Sequence, residues 1–166
     1  GIIYGISDFG LARQLGIPRK QAASYIDAYF KRYPSIHDFM HSMVEKAKET
    51  GRAVTLFGRY RELPDINSKN FNRRSFAERT AMNTPIQGTA ADIMKMAMIE
   101  VYRKMKAGGY KSRVLLQVHD ELVAEVVKEE KEEIAALLKE TMESVVKLKV
   151  PLVADVNEGK NWAETK

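Results

Sequence analysis

Three adjacent residues, His119, Asp120 and Glu121, carry side chains suited to acid, base or metal chemistry. They separate two runs, residues 112–118 and 122–127, in which side chains alternate between two faces with a period of two. Such alternation on both sides of a short polar break predicts an antiparallel β-hairpin with His119-Asp120 at its tip. The sequence therefore places a carboxylate on a turn, where it is sterically free to bind a ligand.

The predicted tip does not have the composition of an ordinary tight turn. Hairpin turns favour Asn-Gly or Asp-Gly because positive φ angles are needed, whereas this chain has His119-Asp120. A broken local rule of this kind is expected at functional sites. The Asp120 carboxylate suits Mg²⁺, which takes one or two carboxylates together with substrate phosphates. Glu121 projects to the other side of the pleat, so the two carboxylates share a ligand only if the turn twists. A solvated polar turn fits the same residues equally well.

Composition limits the classes of protein that this chain can represent. Its 166 residues are enough for one domain with a core, and the absence of cysteine excludes disulfides and thiolate metal sites. No apolar run approaches the roughly 20 residues of a membrane helix, and no signal peptide is visible, so we expect a cytoplasmic protein without a membrane partner. A net charge of +5 permits a nucleic-acid partner. The chain opens at Gly1 without an initiator Met, which is compatible with its being part of a longer protein.

Two basic stretches are candidates for phosphate contacts. In the first, a predicted strand over residues 54–57 leads into Gly58, where glycine allows close backbone approach, and then into Arg59 and Arg61. The second, residues 67–74, contains Arg73 and Arg74 and is predicted to be a polar loop. An exposed basic hairpin without a partner is the alternative interpretation of the first stretch.

The remaining pattern predicts helices that surround these candidates. Ser7 is the expected N-cap of a helix over residues 8–15, and apolar stripes predict further helices over residues 18–33, 34–50 and 129–147. A long helical region from residue 76 pauses near Asn83, restarts at a capping box on Thr84 and ends at Gly108. Residues 152–156 alternate as a last strand. The fold class is thus α+β, with a small antiparallel sheet backed by helices.

Several motifs together resemble family A DNA polymerases of the bacterial polymerase I type. They are Q-V-H-D-E-L at residues 117–122, T-L-F-G-R at residues 55–59, L-P-D-I at residues 63–66, R-T-A-M-N-T-P-I-Q-G-T-A-A-D at residues 79–92 and Y-G-I-S at residues 4–7. They occur in the order of that family's signatures. The resemblance covers essentially the whole chain, and it implies a helical partial fingers subdomain over residues 1–66 and the C-terminal part of the palm over residues 67–166.

The resemblance implies a role for each matching residue. Asp120 would be one of two catalytic aspartates that hold two Mg²⁺ ions, with Glu121 as its acidic neighbour and His119 against the primer terminus. Tyr4 would lie at the nucleotide insertion site. The implied DNA-binding residues are Arg79, Asn83 and Gln87, with the basic residues Arg59, Arg61, Arg73 and Arg74 beside them. The family's pattern has a basic residue and an aromatic where this chain has Tyr60 and Glu62.

The implied reaction is template-directed DNA synthesis, in which the primer 3′-hydroxyl attacks a dNTP on primer-template DNA. The second aspartate and the groups that hold the triphosphate would come from a missing N-terminal part of the polymerase. We therefore expect this chain alone to be inactive. The implied location is the bacterial cytoplasm, in association with the nucleoid.

Two other classes remain open from the residues themselves. A stand-alone DNA-binding module without sequence preference would explain the basic stretches, and its binding would depend on salt but not on Mg²⁺. A structural interaction domain would explain the helices, and it would have no affinity for nucleic acid.

Overall fold

The structure, a computed structural model, describes residues 1–165 and falls into two compact units, Gly1–Thr89 and the residues from Ala90 onward. Within the described residues, six α-helices accompany two separate two-stranded antiparallel sheets, which confirms the predicted α+β class. None of the described helices has the length and apolar character needed to cross a membrane. The predicted division at residue 66 into fingers and palm stays a prediction.

The first unit is mainly helical. After a 3₁₀ turn at Ile2–Tyr4, its elements are α1 Asp8–Leu15, α2 Arg19–Arg32, α3 Pro34–Thr50, β1 Arg52–Val54, β2 Tyr60–Glu62, α4 Phe71–Asn83 and a π-helical turn at Thr84–Gly88. The Ser7 hydroxyl accepts the Gly10 N–H at 3.1 Å, which confirms the predicted cap of α1. Strands β1 and β2 pair with Ala53 opposite Arg61.

The second unit holds the predicted hairpin. Helix α5 spans Thr89–Ala107, so its first residue closes the first unit, and Gly109 beyond its end has a φ of +68°. The other elements are β3 Arg113–Val118, β4 Glu121–Glu125, a 3₁₀ turn at Lys128–Glu130, α6 Lys131–Ser144 and a 3₁₀ turn at Trp162–Thr165. Strands β3 and β4 pair antiparallel, so the hairpin predicted from the alternating pattern is confirmed.

The predicted last strand is wrong. Residues 151–159 have no regular secondary structure, although Leu152, Ala154 and Val156 alternate as a strand would. The Ala154 N–H donates to the Glu143 carboxylate of α6 at 3.0 Å and not to a neighbouring strand. An alternating sequence forms a strand only when another strand pairs with it, and the described residues supply none here.

Three other local predictions need correction. The strand expected over residues 54–57 ends at Val54, because the chain turns back through Gly58 with a φ of +84°. The polar loop expected over residues 67–74 contains the start of α4, whose first turn is capped by the Asn70 side chain. Thr84 is not the helix N-cap that the capping-box pattern predicts. It has helical φ and ψ angles of −58° and −43°, so the helical conformation continues through it into the π-helical turn.

Small side chains form the core of the first unit. Ala47 of α3 and Ala81 of α4 are fully buried, and the same cluster contains Ala53, Leu63, Ile66 and Ala77. Because alanine projects only one methyl group, helices that meet through alanines can approach closely. The cluster therefore joins α3, β1 and α4 mainly through small side chains.

The second unit has a separate core under the hairpin. Val101 and Met105 of α5 pack with Ile134 of α6, and half-buried side chains from the hairpin, Val114 and Leu122, cover them. The Ile134 side chain is completely buried. The hairpin is thus attached to two helices through one face.

A carboxylate fixes the base of the hairpin. Glu130 accepts the backbone N–H groups of Lys111 and Ser112, both at 2.9 Å, and the Ser112 hydroxyl at 2.6 Å. The same hydroxyl accepts the Val127 N–H at 2.9 Å, which joins the residue before β3 to the segment after β4. The Lys111 N–H, followed by the Ser112 hydroxyl, lowers the pKa of Glu130 because both favour its charged form.

Replacing Ile134 with Ala should destabilise the chain by about 2–5 kcal/mol, because the lost atoms leave a cavity between α5, α6 and the hairpin. Val153→Ala is the control, since that side chain is 76% exposed. Urea unfolding followed by circular dichroism measures both. Equal free energies of unfolding for the two variants would contradict the assignment of this core.

The bonds to Glu130 should make stability depend on pH in the acid range. The folded pKa of Glu130 lies below its unfolded value, so its contribution is present above the ordinary carboxyl pKa and is lost as pH falls through the folded pKa. We expect the melting temperature of Glu130→Gln to fall less than that of the wild type between neutral and acid pH. The control is Glu129→Gln, which should follow the wild type. If the melting temperatures of the wild type and Glu130→Gln changed equally with pH, the stabilising role of these Glu130 hydrogen bonds would be contradicted.

Candidate functional site

The tip of the second-unit hairpin is a tight turn with an unusual backbone. Val118 pairs with Glu121, which leaves His119 and Asp120 as a two-residue loop. His119 has a φ of +53° and is the one non-glycine residue with a positive φ within residues 1–165. Such a conformation costs an L-residue about 1–3 kcal/mol and is found disproportionately at functional sites. The Gln117 side chain donates to the His119 carbonyl at 2.6 Å and so closes the turn.

A β-bulge lies in the strand that leads to this tip. The pairing register shifts between Val114, opposite Ala124, and Leu116, opposite Val123. Leu115 is therefore an extra residue, and the simple alternation predicted for Val114, Leu116 and Val118 is broken. Val114 is half-buried, whereas Leu116 is exposed. Bulges increase strand twist and redirect side chains, so this one helps to set the direction in which the tip points.

The tip presents its polar side chains to solvent. His119, Asp120 and Glu121 are all exposed, and no ion pair or hydrogen bond of the Asp120 carboxylate lies within the described residues. Residues 1–165 contain no group of three His, Cys, Asp or Glu side chains able to hold a metal ion. The hairpin can therefore offer a hard cation one carboxylate oxygen ligand, and the further ligands would have to come from elsewhere.

The first unit contains an open groove of about 280 Å³ that brings together three of the predicted DNA-binding residues. Arg59 and Arg61 lie on one wall and Gln87 on the other, and the remaining lining residues are Thr55, Tyr60, Thr84 and Gly88. Two arginines are the charged residues among the described residues that line this groove, which suits an anionic ligand. Thr55, Thr84 and Gly88 lie inside the motifs quoted from the sequence, but no site role was predicted for them, because their side chains carry no charge.

Side chains of the β1–β2 turn meet the backbone at Gly88 on the other wall of the groove. One Arg59 guanidinium nitrogen donates to the Gly88 carbonyl at 3.0 Å. A Cβ added to Gly88 would lie 2.6 Å from the Thr55 methyl carbon, so a larger residue would push the walls apart. The lack of a side chain at Gly88 therefore sets the closeness of the β1–β2 turn to the π-helical turn.

Two other predicted DNA-binding residues precede the groove on α4. Arg79, Asn83 and Gln87 follow one another at intervals of four, which gives one helical face. Arg79 is exposed and bonds the Ser75 hydroxyl at 3.1 Å. The Asn83 side-chain oxygen is buried without a hydrogen-bond partner among the described residues. A buried acceptor of this kind is costly unless a donor reaches it.

The N-terminal turn lies against the same helix. Gly5 has a φ of +75°, and a Cβ there would lie 2.6 Å from the end of the Met82 side chain and 3.4 Å from Cγ of Arg79. Tyr4, the residue before it, is 45% exposed. The structure therefore brings the predicted nucleotide-binding tyrosine to the part of α4 that carries Arg79.

The remaining predicted DNA-binding residues have partners within the chain. Arg73 forms an ion pair with Asp65 at 3.2 Å, and Arg74 donates to the Ser68 carbonyl at 2.8 Å. Both thus hold the start of α4 against the preceding loop, and their contact with DNA stays a prediction. Where the family's pattern differs, Glu62 forms an ion pair with Arg52 at 3.1 Å, and the Arg52 guanidinium lies 4.3 Å from the centre of the Tyr60 ring.

Comparisons with known proteins agree with these motifs. The chain is 58% identical over 166 residues to DNA polymerase I of Streptococcus pneumoniae (strain ATCC BAA-334 / TIGR4), and these residues cover all of this chain and 19% of that protein. It is 54% identical to DNA polymerase I of Caldicellulosiruptor bescii and 51% identical to that of Bacillus subtilis (strain 168), again over its whole length and over 20% and 19% of those proteins. The chain thus spans about a fifth of the length of these relatives.

A solved structure and a family model complete the comparison. The POL domain of Pol1 from M. smegmatis, in complex with DNA primer-template and dNTP, superposes with a TM-score of 0.95 at 43% identity, over 99% of this chain and 29% of that one. The sequence model described as DNA polymerase family A matches residues 1–164. The chain belongs to DNA polymerase family A.

Proposed function

We propose that this chain is part of a bacterial polymerase I type enzyme, in which it contributes one metal-binding carboxylate and a duplex-binding groove to template-directed DNA synthesis. The observation that carries the proposal is the exposed Asp120 at a tight turn whose backbone is closed by Gln117 and anchored at its base by Glu130. A flexible surface carboxylate would need none of these contacts. The relatives are DNA polymerases I, and the solved neighbour was bound to DNA primer-template and dNTP.

The donor set at the tip fits Mg²⁺. Asp120 supplies a hard oxygen ligand, is exposed, and has no competing ion pair within the described residues. Mg²⁺ keeps several waters and uses one or two carboxylates with substrate phosphates, so it does not require the protein to form a complete cage. When two such ions are bound, they stabilise charge on the attacking and leaving oxygens of phosphoryl transfer. In this proposal the second aspartate comes from another part of the enzyme, and this chain alone is inactive.

The side chains around the tip have supporting roles. His119 would contact the primer terminus, and Glu121 would add negative charge beside the metal-binding carboxylate. Their placement depends on the turn, because the positive φ of His119 reverses the chain within two residues. The Gln117 bond to the His119 carbonyl and the Glu130 bonds at the base of the hairpin would restrain the tip before a ligand binds.

The groove of the first unit would hold primer-template DNA. Arg59 and Arg61 can neutralise backbone phosphates, and the Gln87 amide can donate to minor-groove acceptors. Those acceptors lie in similar places in each correct base pair, so a donor there tests geometry without reading sequence. Arg79 and Asn83 would extend the contact along α4, and Tyr4 would lie where the incoming nucleotide is inserted. A location in the bacterial cytoplasm, in association with the nucleoid, would follow from this function.

Asp120→Asn in the full-length polymerase should lower the rate of single-nucleotide incorporation by orders of magnitude, because the amide keeps the shape of the side chain but removes the charge that attracts Mg²⁺. Binding of primer-template DNA, measured by fluorescence anisotropy, should change little. Asp155→Asn makes the same change at an exposed aspartate outside the hairpin and should leave incorporation near the wild-type rate. Near-normal incorporation by Asp120→Asn would refute the metal-ligand assignment.

Arg61→Gln should weaken duplex binding and reduce by about one the slope of log affinity against log salt concentration, since each phosphate contact releases a counterion. Anisotropy titrations of one duplex at several salt concentrations measure this slope. Lys139→Gln removes one positive charge from the exposed side of α6 and should leave the slope unchanged. An affinity of the wild-type protein that does not change with salt would argue against a duplex-binding groove.

A further inference from the structure

We infer that Thr89 is a positioning residue for the groove: its hydroxyl attaches the β1–β2 turn to the π-helical turn and so sets the spacing between Arg59 and Gln87. The inference rests on the proposed duplex-binding role of the groove. Thr89 itself does not line the groove, and it acts through the backbone segments that carry the lining side chains.

The Thr89 hydroxyl makes two hydrogen bonds to different elements. It donates to the Pro85 carbonyl within the π-helical turn, and it accepts the Leu56 N–H of the β1–β2 turn at 2.9 Å. A hydroxyl can do both at once because it has one donor and two acceptor lone pairs. One oxygen atom therefore joins two segments that are 33 residues apart in the sequence.

The Thr89 hydroxyl also bonds within the π-helical turn itself. Pro85 has no N–H, so the regular backbone ladder of the helix is interrupted at this point. The Thr89 N–H bonds the Ile86 carbonyl, and the Thr89 side chain satisfies the Pro85 carbonyl in the following turn. Gln87 lies between Pro85 and Thr89, so its direction depends on how this turn is closed.

The β1–β2 turn, which forms the other wall of the groove, is held in part by the bond from the Leu56 N–H to the Thr89 hydroxyl. The Leu56 N–H would otherwise face the helix without a protein acceptor, and Leu56 is three residues before Arg59. The Thr55 hydroxyl accepts the Arg59 N–H at 3.2 Å, and Arg59 reaches the Gly88 carbonyl. Removing the Thr89 hydroxyl therefore removes one of the contacts that hold the turn placing Arg59, although no groove residue is altered.

Two substitutions separate the hydroxyl from the shape of the side chain. Thr89→Val keeps the shape and removes both bonds, whereas Thr89→Ser keeps the hydroxyl. In the full-length polymerase we expect Thr89→Val to reduce the preference for extending matched over mismatched primer termini by about fivefold to tenfold, the worth of one or two net hydrogen bonds. Thr89→Ser should retain most of the preference. Thr80→Val is the control, since within residues 1–165 the Thr80 hydroxyl bonds back along α4, to the Phe76 carbonyl, and to no other element.

Hydrogen exchange gives a test that does not need activity. In Thr89→Val the Leu56 amide should exchange faster than in the wild type, and in Thr89→Ser it should keep its protection. Unchanged Leu56 protection in Thr89→Val, or a preference for matched termini that does not fall, would overturn the inference. If the wild-type polymerase extends no primer, the proposed function fails, whereas Leu56 exchange still tests the attachment.

Discussion

The first unit depends on one backbone irregularity, the π-helical turn at Thr84–Gly88. Proline removes one donor from the helical ladder there, and glycine ends the turn without a side chain. Neighbouring side chains contact this turn. The Thr89 hydroxyl donates to the Pro85 carbonyl, and the Arg59 guanidinium and the Thr55 methyl come close to Gly88. A regular helix would offer the β1–β2 turn no open carbonyl and no close approach. The groove is therefore a consequence of an interrupted helix, in agreement with the frequent occurrence of π-helical turns at functional sites.

The hairpin of the second unit also has an irregular backbone, at its tip. Its tip is strained at His119, and it is held by the Gln117 side chain within the turn and by the Glu130 and Ser112 bonds at the base of the hairpin. The apolar face on α5 and α6 holds the body of the hairpin. A carboxylate that must remain exposed cannot be fixed by burial, so the backbone beneath it has to be fixed. A carboxylate such as that of Glu130 suits this purpose, because hydrogen bonds to a charged group are about twice as strong as those between neutral groups.

The features predictable from the sequence are those with a local or periodic signal. Ser7 has a capping hydroxyl, the stripes of α2 and α3 have the helical period, and the hairpin has a period of two on both sides of its tip. The failures have physical reasons as well. Residues 152–156 have a strand's alternation, but the described residues supply no strand to pair with them. Thr84 carries a capping-box pattern, yet the helical conformation of α4 continues through it into the π-helical turn. Periodicity does not reveal where a partner lies, and Leu115 shows that it can also hide a bulge.

The candidate site residues could be named from motifs and basic stretches, whereas the positioning roles of other residues could not. Arg59, Gln87 and Asp120 are exposed side chains of types that bind phosphates, base edges and cations. The residue types of Glu130 and Thr89 do not predict their roles, because each role depends on a hydrogen bond to a segment that is distant in the sequence. Both act on backbone N–H groups, and both join segments more than a dozen residues apart. Hydrogen bonds of this kind specify direction more sharply than apolar contacts do, since they weaken steeply when misaligned. The chain thus combines exposed chemical groups with backbone that side-chain hydrogen bonds hold in place, an arrangement suited to positioning ligands that arrive from outside it.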